Sequence, residues 1–245
     1  MEHTMLEHEV IAHRGLNHRA PENTLAAFRL AAESGCRWIE TDVDVMGDGT
    51  PIIIHDTRLD RTTNRSGYFY DLQSSDLPID AGSWFSSEYV GEPVPTLRQL
   101  VDLMNETGLN ANIELKSNER GKAMSMQLIE NTLAELDRLD SDREVIISSF
   151  NHLLLHHVHE QRPDLPIGAL FTKDNLWPDW RSILELVGAT YIHPDDAHMR
   201  PEYIAAFREA GYGVNVWTVN SKARANELFN WGASAVFTDI ADELL

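Results

Sequence analysis

Residues 10–56, VIAHRGLNHRAPENTLAAFRLAAESGCRWIETDVDVMGDGTPIIIHD, hold two histidines, two alternating carboxylates and an arginine at the ends of apolar runs. Together they could form most of an active site. Val10-Ile11-Ala12 delivers His13 and Arg14 where a buried strand emerges into a loop. Glu40 and Asp42 lie two apart in a strand-like run, and the period of two aims both at one face. Carboxylates so close repel unless something positive sits between them. A hard divalent cation, Mg²⁺ or Ca²⁺, is the usual resolution because it takes oxygen ligands. Ile52-Ile53-Ile54 then leads to a second histidine, His55, followed by Asp56. Downstream, Asn112-Ile113-Glu114-Leu115-Lys116 repeats the device, with Glu114 and Lys116 sharing a face.

The elements that must position these groups are short apolar strands separated by helical patterns. The strands are expected at 9–12, 37–43, 111–115, 145–148, 167–170, 190–192, 214–217 and 235–237. Helices are expected over 25–32, 96–107, 201–210 and 221–231, each stopped by a following glycine. Between Val45 and Ile52 the chain is too short for a parallel crossover, so Ile52 to His55 should fold back as a hairpin-like extension turning at Asp48-Gly49. Without it about eight strands remain, as a closed (β/α)₈ barrel requires. The alternation breaks over residues 57–95, rich in serine, aspartate, glycine and aromatics, which read as a small inserted lobe after the second strand. The fold class is therefore α/β, a TIM barrel with residues 1–245 as a single domain and 57–95 as a lobe within it.

A net charge of −19 argues against a sequence-independent hold on nucleic acid or an anionic membrane. The positive residues that matter should be local. Cys36 is the single cysteine and reads as a small apolar residue. The start, MEHTMLEHEV, lacks a basic beginning and an apolar run, and no later stretch approaches a membrane span, which predicts a soluble, cytoplasmic protein. A homo-oligomer is compatible with the sequence, which leaves the oligomeric state open.

In order, HRG, PENT, E-x-D-V, DG, a histidine-aspartate pair and I-E-L-K resemble the motif set of the glycerophosphodiester phosphodiesterases, closest to the bacterial cytoplasmic branch. DAGSWF at 80–85, SSF at 148–150, VWTVN at 216–220 and FTD at 237–239 extend the resemblance over nearly the whole chain. Met46 stands where that family often has threonine. The resemblance implies Glu40, Asp42 and Glu114 as ligands of a divalent metal. It implies a small glycerophosphodiester as substrate, cleaved to sn-glycerol 3-phosphate and an alcohol. It also implies that residues 57–95 fold over the barrel mouth.

Phosphodiester cleavage needs a base for the nucleophile and an acid for the departing alkoxide, and His13 and His55 titrate in the right range for both. Arg14 would grip a phosphate oxygen through its fork and Lys116 would add a compact charge. Phe150 and Trp217 are the candidates for an apolar wall against the glycerol carbons. Ser149, His193 and Asp239 also fall at or past strand ends. Asp44 is expected to be solvated, and His152, His156 and His159 are expected on the outer surface of a helix. Two other readings stay open: a phospholipase-type enzyme acting on intact lipid, and a barrel that binds phosphodiesters without cleaving them.

Overall fold

The computed structural model describes residues 5–197 and 199–245. The first four residues of MEHTMLEHEV lie outside the described residues. Strands β1 (Glu9–Ala12), β2 (Trp38–Val45), β3 (Pro51–Ile53), β4 (Asn110–Leu115), β5 (Val145–Ser149), β6 (Ile167–Phe171), β7 (Tyr191–Pro194), β8 (Gly213–Val216) and β9 (Ala235–Thr238) form one sheet. All but β3 are parallel staves, and the sheet closes because β1 pairs with both β9 and β2. This is the (β/α)₈ barrel that the alternation of strands and helices predicts.

Helices α1 (Leu25–Glu33), α2 (Leu97–Thr107), α3 (Lys122–Leu136), α4 (His152–Gln161), α5 (Trp180–Leu186), α6 (Pro201–Glu209), α7 (Lys222–Asn230) and α8 (Ala241–Leu244) surround the staves. Strands covered outside by helices and inside by one another are buried on both faces, hence their near-continuous apolar character. Helix α2 shows how the sequence sets its own limits. The Thr96 side chain accepts from the Gln99 N–H, the Gln99 side chain returns the bond, and Gly108 ends the helix in the left-handed region. Helix α1 packs close because of Gly15. At φ +78°, an added Cβ there would lie 2.8 Å from the Cβ of Ala27.

β2 runs to Val45, two residues beyond expectation, because 43–45 pair antiparallel with β3. β3 starts one residue early and stops at Ile53, so His55 leaves the sheet before it reaches the mouth. The turn falls at Asp48-Gly49, with Gly49 at φ +84° and its N–H bonded to the Met46 carbonyl. Residues 57–95 contain three short 3₁₀ turns and bury Leu59, Phe69, Tyr70, Ile79, Ala81 and Val94 against Met46, Ile52 and Ile54. This cluster straddles the hairpin, so the lobe and the β2–β3 extension share one core.

Asp44 is the clearest correction. It is 1 % exposed, beneath the lobe, and accepts hydrogen bonds from the Tyr70 hydroxyl at 2.6 Å and the Val45 N–H at 2.8 Å. Burial pushes its carboxyl up to about 6. The β2–β3 pairing and the Phe69–Asp71 turn cover the position that looked like the start of an open turn.

Ser149 ends β5 and His193 lies one residue before the end of β7, close to the expected places, but both are fully buried. His193 points into the barrel interior, fully buried, with Nε2 3.1 Å from Asn215 Nδ2 and a ring that only Gly168 leaves room for, since a Cβ there would come within 2.2 Å. Ser149 donates its hydroxyl to the Leu115 carbonyl and ties β5 to β4. Burial drives the His193 pKa down to about 3, below the ordinary 6.5 of the unfolded chain. Between those values only the unfolded chain takes up the proton, so stability present above pH ~6.5 is lost as pH falls toward ~3. We expect His193→Asn to flatten that part of the denaturant-midpoint profile, by an amount on the order of a few kcal/mol. An unchanged profile would place the acid sensitivity elsewhere.

No helix among the described residues is long and apolar enough to cross a membrane.

Candidate active site

The C-terminal ends of β1, β2 and β4 bring most of the chemical groups of the sequence to one cavity of about 130 Å³, which Asp42 and Lys116 adjoin without lining. It is lined by His13, Arg14, Glu40, His55, Asn112, Glu114, Phe150, Leu170, Trp217, Thr218 and Phe237. Register explains the carboxylates. Asp42 pairs with Glu114 across β2 and β4, so ligand atoms of Glu40, Asp42 and Glu114 lie within 4.8 Å of one another. Their exposures are 5 %, 1 % and 8 %, too low for water to keep three charges apart.

The protein supplies part of the compensation itself. Lys116 Nζ sits 2.8 Å from Glu114 and 3.1 Å from Asp42 Oδ1, and Arg14 Nε sits 3.3 Å from Asp42 Oδ2. Burial works against ionisation of Asp42, but Lys116, Arg14 and the hydrogen bond from Asn23 outweigh it and hold this carboxyl well below its usual range. Glu40 and Glu114 go the other way, pushed up by burial and by the charge of Asp42. Arg14 Nε and Asp42 Oδ1 have no well-angled hydrogen-bond partner despite being buried. A divalent cation among the three carboxylates fits this donor set, since it favours ionisation of all three.

Each histidine is backed by a carboxylate. His13 Nδ1 lies 2.7 Å from Asp239 Oδ1, and its Nε2 faces Glu40 at 3.9 Å. His55 Nδ1 lies 2.6 Å from Asp56 Oδ1. An ionised carboxylate only accepts, so each Nδ1 carries the proton and leaves Nε2 to work. Burial opposes protonation of His13, yet the Asp239 bond and the charge of Glu40 prevail and raise its pKa. For His55 burial prevails, helped by Lys116 and Arg14, and its pKa falls. Phe150 and Trp217 meet edge to face at 5.4 Å, and the Trp217 indole N–H donates to the His193 carbonyl.

The sequence model of the Glycerophosphoryl diester phosphodiesterase family matches residues 13–243. The chain belongs to that family, and so to the phosphoric diester hydrolases. A glycerophosphodiester phosphodiesterase from Caldanaerobacter subterraneus subsp. tengcongensis is 34% identical over 237 residues, covering 96% of each chain. One from Bacillus subtilis is 32% identical, covering 95% of this chain and 83% of its own. Among solved structures, an Oleispira antarctica phosphodiesterase in complex with the product sn-glycerol-3-phosphate is similar, with a TM-score of 0.91. Its identity is 33%, and the match covers 96% of this chain and 94% of that one.

Sequence reasoning left roles unassigned that the geometry supplies. PENT reads as a helix start, and Thr24 does cap α1. Asn23 instead turns inward at φ +57°, donates to Asp42 Oδ2 at 2.8 Å and accepts from the Thr41 hydroxyl. Glu22 holds Arg14 at 2.8 Å. Asp239 also takes hydrogen bonds from Asn17 and Asn220. The FTD segment is the only sequence signal for that last role.

Arg61 joins the two halves of the site. Its guanidinium bonds both oxygens of Glu22, at 2.8 Å each, and both oxygens of Asp56. One lobe residue thereby orients the partner of Arg14 and the partner of His55. Orienting contacts of this kind are commonly worth roughly 10- to 100-fold. We expect Arg61→Ala to lower kcat/KM by about that factor with little change in melting, since the side chain is 44% exposed. Unchanged kinetics would show that Glu22 and Asp56 hold their places unaided.

The histidines of α4 stand apart from the cavity, but not as expected. His152 is half-buried rather than on the surface. Its Nε2 meets the Leu170 carbonyl at 3.0 Å and its ring lies 4.7 Å from that of Phe171. The first turn of α4 leans over the end of β6, and burial lowers the His152 pKa. His159 packs over Gly188, where a Cβ would come within 2.4 Å of its ring, while His156 has nearly half its side chain exposed.

Proposed function

We propose that the chain hydrolyses small glycerophosphodiesters, such as glycerophosphocholine or glycerophosphoethanolamine, to sn-glycerol 3-phosphate and the free alcohol. The observation that carries this reading is a cavity lined by Glu40, Glu114, Arg14 and two carboxylate-backed histidines, with Asp42 and Lys116 paired to Arg14 and Glu114 beside it. The Oleispira antarctica structure holds sn-glycerol-3-phosphate as product, and its likeness to this chain supports the same substrate class.

Glu40, Asp42 and Glu114 would hold Mg²⁺ or Ca²⁺, which when bound polarises the phosphoryl group. Arg14, fixed by Glu22, offers its remaining N–H groups to a phosphate oxygen, and Lys116 contributes a point charge beside it. His13 and His55 act as acid and base through Nε2, each held in one tautomer by its aspartate. Phe150 and Trp217 form the apolar wall against the carbon chain. The chain works as a single domain in which residues 57–95 are an inserted lobe that braces the site through Arg61.

Phosphorus NMR of the reaction with glycerophosphocholine tests the proposal. A glycerol 3-phosphate resonance is expected. Phosphocholine with free glycerol would place the cleaved bond on the wrong side, and no turnover of any diester would favour a binding barrel.

A further inference from the structure

Asn112 has a part in the cavity that neither the metal nor the proton transfers use. It lies on β4 opposite Glu40 in register and one inward position below Glu114, so it is level with Glu40 and deeper in the barrel than Asp42 and Glu114. It is 1 % exposed and lines the cavity. Its Nδ2 donates to the Ser148 hydroxyl at 2.8 Å, and its Oδ1 has no hydrogen-bond partner. A buried amide oxygen without a partner is costly, which makes it a place where a ligand group or an ordered water belongs.

The lining restricts what that group can be. Leu170 and Phe237, each one residue before the end of its strand, give the cavity an apolar wall together with Trp217, which suits carbon and not charge. The charged groups that suit a phosphate, Arg14 and Lys116, follow the ends of β1 and β4, toward the mouth. A ligand with a phosphate at the mouth and a short hydroxylated carbon chain directed inward satisfies both regions. A hydroxyl both donates and accepts, so it answers the amide whichever of its ends faces the cavity.

We propose that Asn112, pinned by Ser148, is a specificity-determining residue that hydrogen-bonds a free hydroxyl of the glycerol unit. The assignment rests on the substrate class proposed above and adds how the alcohol side is recognised. A site built around a hydroxyl discriminates strongly against the analogue that lacks it, because the amide is then left unpaired in the dry pocket.

The test is equilibrium binding, which needs no chemical step. Calorimetry with Mg²⁺ present compares sn-glycerol 3-phosphate with n-propyl phosphate, which keeps the phosphate and the three carbons but has no hydroxyl. The wild-type protein should bind the glycerol compound about tenfold tighter. Asn112→Leu, similar in size, should lose about that factor on glycerol 3-phosphate and remain within about twofold on propyl phosphate. Ser148→Ala, which frees the amide without removing it, should lose less, with the same selectivity. It also serves as the test if the leucine variant does not fold. Equal losses on both ligands, or discrimination that survives both substitutions, would overturn the role of Asn112 while leaving the hydrolase reading intact. Failure of the wild-type protein both to bind glycerol 3-phosphate and to hydrolyse glycerophosphodiesters would overturn the underlying reading as well.

Discussion

Asp42→Ala should abolish turnover and destabilise the fold by about 3–5 kcal/mol, the cost of leaving buried charge uncompensated. Asp42 is the carboxylate on which the site's positive groups converge. Lys116, Arg14 and Asn23 all reach it, and it is 1 % exposed. Removing it leaves the partly buried Arg14 and Lys116 with one fewer counter-charge and removes one of the three proposed cation ligands. The same arrangement predicts that Mg²⁺ or Ca²⁺ at a hundredfold over its dissociation constant stabilises the wild-type protein by about 2.7 kcal/mol. For a chain of this length that is a melting shift of roughly 5–10 °C. The shift should vanish in Asp42→Ala. A variant that melts like the wild type and still responds to metal would remove Asp42 from the centre of the site.

His13→Ala and His55→Ala should give opposite patterns on two classes of substrate. An acid matters when the departing alkoxide is strongly basic, as those of choline and ethanolamine are, and matters little when a nitrophenolate departs. A base is needed for both. The variant that lacks the acid should therefore lose about 10² to 10⁴ on glycerophosphodiesters and far less on an activated aryl diester, while the other loses comparably on both. Each variant must first bind metal normally, because His13 lies 3.9 Å from Glu40. Retention of most activity on natural diesters by both would remove the histidines from the chemistry.

The barrel was legible because its signals are periodic and local. Glu40 and Asp42 share a face by the two-residue period, and their placement beside Glu114 follows from strand register once the barrel is drawn. Residues whose roles depend on contacts across the fold were not legible. Arg61 acts through Glu22, which is 39 positions away, and Asp239 through His13, which is 226 positions away. Asp44 shows the limit most directly. Strand alternation gives its direction, but only the lobe core, with Tyr70 above it, decides that it is buried. His193 shows the complementary limit, since its place near a strand end was legible and its burial was not. A histidine at a strand end reads as a mouth residue, and the space for its ring exists only because the neighbouring strand has Gly168.

The most direct measurement of the central claim is the initial rate of sn-glycerol 3-phosphate release from glycerophosphocholine. It is made on protein stripped of metal by exhaustive chelation and repeated after Mg²⁺ or Ca²⁺ is restored. The carboxylate site of Glu40, Asp42 and Glu114 predicts no release from the stripped protein and recovery with at least one of the two ions. Full release from the stripped protein, or none with either ion, would contradict it.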